Sequence, residues 1–177
     1  MEYKFTQPEI GLSLIEGHRI AGYASVFGLR DKGGDTVLPG AYGASLRRMQ
    51  SRGDKVRMLW QHDPAQPIGI WEEVREDAHG LWVAGCLLSD VARAREAQAL
   101  LVAGAVDGLS IGYRTLRAEK DQVGGRKLIE LDLWEVSLVT FPMQAEARIA
   151  QKSASHAADL RAVTARLRAA REAVARI

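Results

Sequence analysis

The chain has 177 residues, 47% of them hydrophobic and 26% charged, with a net charge of +2. That balance excludes the disordered and fibrous classes and supports one domain with a substantial core. Its longest apolar stretches, such as Leu100 to Val106, are too short to span a bilayer, and a single cysteine, Cys86, excludes an internal disulfide framework.

Met1 to Phe5 carry no basic-then-apolar leader pattern, so export is not expected, and the single cysteine fits a reducing cytoplasm. Residues 10–27 alternate apolar and polar side chains around Glu16-Gly17, which predicts a hairpin. A loop follows at Gly33-Gly34-Asp35, and Pro39-Gly40 leads into a short helix through Ala41, Leu46 and Met49. Val56, Met58 and Trp60 alternate as a strand that runs into Gln61-His62-Asp63-Pro64. Strands at 67–76 and 81–88 flank a turn at Asp77-Ala78-His79-Gly80. Ser89 or Asp90 can cap a helix through Val91, Ala94, Ala97, Leu101 and Val102, with Gly104 as its stop. Two long strands, 109–119 and 127–140, are separated by a Gly124-Gly125 turn, and Pro142 ends the second.

These elements predict a mainly β chain with helices, an antiparallel and nearly closed barrel of about seven strands over residues 1–150. Residues 151–177 differ: six basic side chains stand against two acidic ones, whereas the first 150 residues hold 18 against 20. Leu160, Val163, Leu167, Val174 and Ile177 form one stripe of this Ala/Arg-rich stretch. It is expected to be an amphipathic helix that touches an acidic partner or simply presents a solvated face.

Four histidines could serve as a general base. His18 sits in the predicted first hairpin, His79 in a turn, and His156 at the polar start of the tail. His62 differs, because it follows Val56, Met58 and Trp60 on one side of a strand and opens into a loop. Taken alone, it fits a structural histidine as well as a base. Ser110 lies in Gly108-Leu109-Ser110-Ile111-Gly112, where flanking glycines would leave room for a substrate backbone and for N–H groups aimed at an oxyanion. A purely structural Gly-Ser-Gly strand start accounts for the pattern equally well. The same residues spell the G-x-S-x-G of an esterase elbow, but that motif requires a strand before the serine, a helix after it and a later histidine. Here the helix precedes Ser110, and only His156 follows.

In the strand from Leu128 to Phe141, Glu130 and Asp132 occupy even positions while Ile129, Leu131 and Leu133 occupy odd ones. Glu135 therefore falls on the apolar face, where an unpaired carboxylate is costly. Either an imidazole offsets it, or a β-bulge turns it outward. Neither a phosphate loop nor a Cys/His set with zinc spacing is present, so no cofactor and no metal is expected. Trp60, Trp71, Trp82 and Trp134 read as strand core rather than a base-stacking platform, so no nucleic-acid or membrane partner is expected. Cys86, among Val83, Leu87 and Leu88, reads as a core thiol.

Several stretches occur together and in order: Gly22 to Phe27, Gly34 to Tyr42, Leu59-Trp60-Gln61-His62-Asp63, Gly108 to Tyr113, and Leu133 to Pro142. With them the chain, over residues 15 to 150, resembles the prohead (capsid maturation) protease family of tailed phages, whose relatives also occur in phage-derived gene transfer particles. The resemblance implies a barrel of the herpesvirus assembly protease type. It also implies a serine endopeptidase that cleaves capsid and scaffold precursors inside an assembling procapsid in the bacterial cytoplasm. It assigns the nucleophile to Ser110 and the base to His62, and offers Glu135 as the third member. The implied partners are the major capsid protein precursor and its scaffold segment as substrates, with self-association possible, and the basic tail would serve delivery. A non-catalytic capsid or scaffold component with the same barrel is the alternative, and an esterase a distant third.

Overall fold

A computed structural model describes residues 18–122 and 124–149. The first arm of the predicted N-terminal hairpin and the predicted C-terminal helix lie outside the described residues. In chain order the elements are β1 (Arg19–Val26), β2 (Thr36–Val37), α1 (Gly43–Arg52), β3 (Arg57–Trp60), β4 (Asp63–Glu76), β5 (Gly80–Leu87), α2 (Ala92–Val102), β6 (Gly108–Lys120) and β7 (Arg126–Val139).

The fold is mainly β with two helices, and its seven strands form one curled sheet in the order β1-β5-β4-β3-β7-β2, with β6 on the other side of β7. Local chemistry accounts for the long hairpins. Gly124 and Gly125 have φ of 92° and 80°, which lets β6 fold back on β7. The Asp77 carboxylate accepts N–H bonds from His79 and Gly80 and closes the β4–β5 turn. Gly104, at φ 70°, terminates α2 as its sequence position suggests. The start of α2 differs from expectation, because its N-cap is Val91 and no side chain caps it.

The sheet itself departs from the predicted antiparallel, nearly closed barrel. It is mixed, since β3 and β2 both run parallel to β7, pairing Arg57 with Glu135 and Thr36 with Lys127. Among the described residues it is also open between β1 and β6, where two isolated bridges, Gly22–Ile149 and Gly108–Arg148, span the gap. β1 pairs with β5. Alternation specifies which face a side chain takes, but carries nothing about which strand lies alongside or in which direction. β3 returns next to β7 only after β4, β5, α2 and β6 have intervened, and no local signal encodes that crossing.

Between its contacts with β2 and β3, β7 has no strand on that edge among the described residues. Its N–H groups are satisfied instead by the loop before α1 and by α1 itself: Leu131 N–H donates to the Ala41 carbonyl (2.9 Å) and Leu133 N–H to Ser45 Oγ (3.0 Å). The core lies under this junction, where Ile20, Tyr42, Met58, Ile68, Leu81, Val83, Leu109, Leu131, Leu133, Val136 and Leu138 are essentially inaccessible.

The run Leu131, Leu133, Val136, Leu138 reveals a break in parity. The β6–β7 register passes from Tyr113–Leu133 to Gly112–Glu135, so Trp134 is an extra residue on β7. This bulge moves Val136 and Leu138 onto the core face and takes Glu135 off it. Trp134 continues the polar side of Asp132, whose carboxylate accepts its indole N–H at 3.4 Å, and is 53% exposed, although its place in a strand suggested core.

Candidate active site

The end of the sheet where β3, β6 and β7 lie side by side gathers the candidate residues. His62 is not a continuation of β3, as its sequence spacing suggested. Trp60 pairs with Asp63, and the two residues between them, Gln61 and His62, are both left-handed, with φ of 53° and 62°. Two such residues in a row are the geometry of a tight hairpin turn, usually filled by Asn, Asp or Gly. For side chains like these the conformation costs on the order of 1–3 kcal/mol each, so surrounding bonds must hold it. They do. Gln61 N–H donates to the Leu138 carbonyl (2.9 Å), Gln61 Nε2 to Thr140 Oγ1 (2.8 Å), and His62 N–H to Ser137 Oγ (3.1 Å). The turn is thus fastened to the end of β7.

Glu135 lies on the face away from Val136 and Leu138, together with Ser137. Its Oε1 is 2.6 Å from His62 Nδ1, and its Oε2 accepts a 2.5 Å bond from Ser137 Oγ. The carboxylate side chain is 11% exposed and the imidazole 43%. A buried carboxylate needs partners, and this one has a donor on each oxygen. The Glu135 hydrogen bond raises the His62 pKa above the ordinary imidazole value, burial opposes the shift, and the negative charge adds to it. With Nδ1 engaged by the acid, Nε2 is the ring nitrogen left to exchange a proton. The imidazole expected from sequence as a partner for Glu135 is present, but the bulge that stood as the alternative is present too.

Ser110 is 5% exposed and pairs across the β6–β7 ladder with Ser137. Directly opposed residues point the same way with Cβ atoms about 4.5–5.5 Å apart, so Ser110 shares the face of Ser137 and Glu135. Among the described residues its Oγ makes no hydrogen bond. Ser137 therefore stands between Ser110, its neighbour on β6, and His62, whose N–H it accepts.

The flanking glycines have a different use from the one their sequence suggested. A Cβ on Gly112 would lie 2.1 Å from Glu135 Oε1, and one on Gly108 would meet the Val139 carbonyl at 2.6 Å and Pro142 Cδ at 2.7 Å. They make room for the acid and for the chain after β7. A cavity of about 120 Å³ opens beside Ser110, walled by Leu29, Asp31, Val37, Tyr113 and Met143.

The remaining candidates lie elsewhere. His18 is exposed, His79 packs edge-on against Tyr23 at 4.5 Å, and His156 is outside the described residues. Asp132 pairs with Arg48 and Arg114. Cys86 is half-buried rather than core. Sequence reasoning assigned no role to Ser137, although its spacing of two from Glu135 on a strand puts both on one face.

Residues 7–161 match the sequence family described as caudovirus prohead serine protease. Over 132 residues the chain is 35% identical to the prohead protease of Enterobacteria phage HK97, covering 73% of this chain and 57% of that protein. The match thus spans little more than half the length of that relative. The structure of the bacteriophage T4 capsid assembly protease superimposes with a TM-score of 0.59 at 14% identity, over 70% of this chain and 82% of that one, so the two share a fold. The varicella-zoster virus protease aligns with a TM-score of 0.45 at 15% identity, over 72% and 60% of the respective chains.

Proposed function

The chain belongs to the caudovirus prohead serine protease family, and from that membership we propose that it is a serine endopeptidase of capsid maturation, with Ser110 as nucleophile, His62 as general base and Glu135 as the acid that orients it. Its substrates are then the capsid protein precursor and its scaffold segment, cut inside an assembling procapsid in a bacterial host. The basic stretch after residue 150 is a segment for docking on that shell or on a second protease chain.

The observation that carries the reading is the 2.6 Å contact between His62 Nδ1 and Glu135 Oε1 on the face that Ser110 shares. It fixes the tautomer in which Nδ1 bears the proton and Nε2 the lone pair. Attack by Ser110 Oγ on a peptide carbonyl forms the C–O bond as Nε2 takes the hydroxyl proton. The imidazolium so formed is stabilised by Glu135 and gives its proton to the leaving amine as the C–N bond breaks. Water, deprotonated by Nε2, then hydrolyses the acyl-enzyme and restores Ser110. The Oγ–imidazole hydrogen bond forms as substrate seats, since such bonds are commonly long before binding. The cavity beside Ser110 offers space for a substrate side chain.

Co-expression with the cognate capsid precursor tests this directly. The wild type should yield a shortened precursor, while Ser110→Ala and His62→Ala, both folded, should leave it intact. Loss of either group costs about a millionfold in turnover in a well-studied serine protease. His18→Ala and His79→Ala should cleave normally. Cleavage by Ser110→Ala at the wild-type rate would end the reading of Ser110 as the nucleophile, and a precursor left intact by the wild type would favour a non-catalytic shell component.

A further inference from the structure

Ser137 is wholly inaccessible, yet it is a hydroxyl with both of its bonds committed to the site. Its O–H donates to Glu135 Oε2 at 2.5 Å, and its oxygen accepts the His62 N–H at 3.1 Å. Together with the contact between Glu135 Oε1 and His62 Nδ1, these bonds close a ring that runs from carboxylate to imidazole to His62 backbone to Ser137 and back. The residue also sits at the junction of three strands, in register with Leu59 on β3 and Ser110 on β6.

We propose that Ser137 is a positioning residue for the reaction: its hydroxyl holds the Glu135 carboxylate against the imidazole and pins the left-handed His62 backbone. The inference rests on the catalytic reading of His62 and Glu135 given above. A hydroxyl carries one donor and two acceptor sites, so this single group can satisfy the second carboxylate oxygen and the His62 N–H at once. Without it, Oε2 is left without its donor in a site where Glu135 is 8% exposed, a costly arrangement that turns the carboxylate away from Nδ1. The other charges flanking His62 cannot replace it. Asp63 directs its carboxylate to the Ala65 N–H (2.9 Å), and Arg57, opposite Glu135 in the β3–β7 register, is a cation and is exposed.

The test follows the His62 ring through a pH titration by NMR, with its signals assigned by their loss in His62→Ala, in the wild type and in Ser137→Ala, Ser137→Val and Ser137→Thr. In parallel, kcat and KM are measured on a peptide spanning the precursor cleavage site. In the Ala and Val variants the His62 midpoint should fall toward about 6.5 and kcat should drop about a hundredfold with KM unchanged, the cost of a small misplacement of a catalytic group. Ser137→Thr, which retains the hydroxyl, should keep the midpoint and most of kcat. If Ser137→Ala fails to fold, the Thr and Val variants decide alone, because they match in shape and differ by the hydroxyl. Wild-type midpoints and kcat in Ala or Val would overturn the proposal and leave Ser137 as packing. The titration reads the His62–Glu135 contact whether or not the chain cleaves anything. Cleavage by Ser110→Ala would therefore defeat the reading of Ser110 as nucleophile while leaving the Ser137 result to stand or fall by itself.

Discussion

Asp132 and Glu135 lie three residues apart on β7, on either side of the extra residue Trp134, and they occupy opposite environments. Asp132 is paired with Arg48 and Arg114 at the surface. Although burial opposes it, the Arg48 and Trp134 hydrogen bonds and the charge of Arg114 hold its carboxyl below the usual range. Exposed pairs of this kind contribute little to stability, typically no more than about 1 kcal/mol. Among the described residues Glu135 is paired with no guanidinium. Its partners are a half-exposed imidazole and an inaccessible hydroxyl, and the space for its carboxylate exists because Gly112 has no side chain. One acid is buffered by redundant cations and the other depends on single contacts, which is the arrangement expected where orientation rather than charge balance matters.

The sharpest way to break this comparison is to neutralise each acid in turn. Glu135→Gln preserves shape but removes the charge that supports the imidazolium, and turnover should fall by roughly ten-thousandfold, as for loss of the acidic member of known triads. Asp132→Asn should stay close to wild type in turnover and thermal stability. A damaging Asp132→Asn with a silent Glu135→Gln would transfer the third role to the wrong side of the bulge and refute the assignment.

A smaller effect is expected from Gly112→Ala. The added methyl would lie 2.1 Å from Glu135 Oε1, so the carboxylate must move off the imidazole. Turnover should drop about a hundredfold and stability by roughly 1–3 kcal/mol. Unchanged kinetics, measured beside a thermal melt, would show that the acid tolerates displacement and is not an orienting group.

The smallest effect is a shift in pH dependence. The Glu135 hydrogen bond raises the His62 pKa, so the acidic limb of kcat/KM should have its midpoint above about 6.5 in the wild type and in Asp132→Asn, and a lower midpoint in Glu135→Gln. Stability carries the opposite sign. A histidine with a raised folded pKa stabilises the fold fully below about pH 6.5, and the contribution fades as pH rises through the folded value. The thermal stability difference between wild type and Glu135→Gln should therefore be largest in mild acid and shrink toward alkaline pH. A gap that widens with pH would contradict the charge pairing of His62 with Glu135.

Much that is local in this protein is legible in its sequence. The β6–β7 hairpin follows from apolar alternation around Gly124-Gly125, the end of α2 from Gly104, and the short list of Ser110, His62 and Glu135 from their motifs and from the family resemblance. Each of these depends on neighbours in the chain, and backbone propensity acts there. Tertiary structure alone decided the rest. The parallel pairing of β3 with β7, the opening between β1 and β6, the left-handed turn at Gln61-His62 and the bulge at Trp134 all depend on which distant segments lie alongside. Alternation placed Glu135 on the apolar face of a regular strand, yet one extra residue before it reversed that parity and carried Glu135 and Ser137 together onto the face of Ser110. Ser137 gained its partners only when β7 came to lie against the β3–β4 turn, because a hydrogen bond between residues 75 positions apart has no counterpart in local sequence pattern.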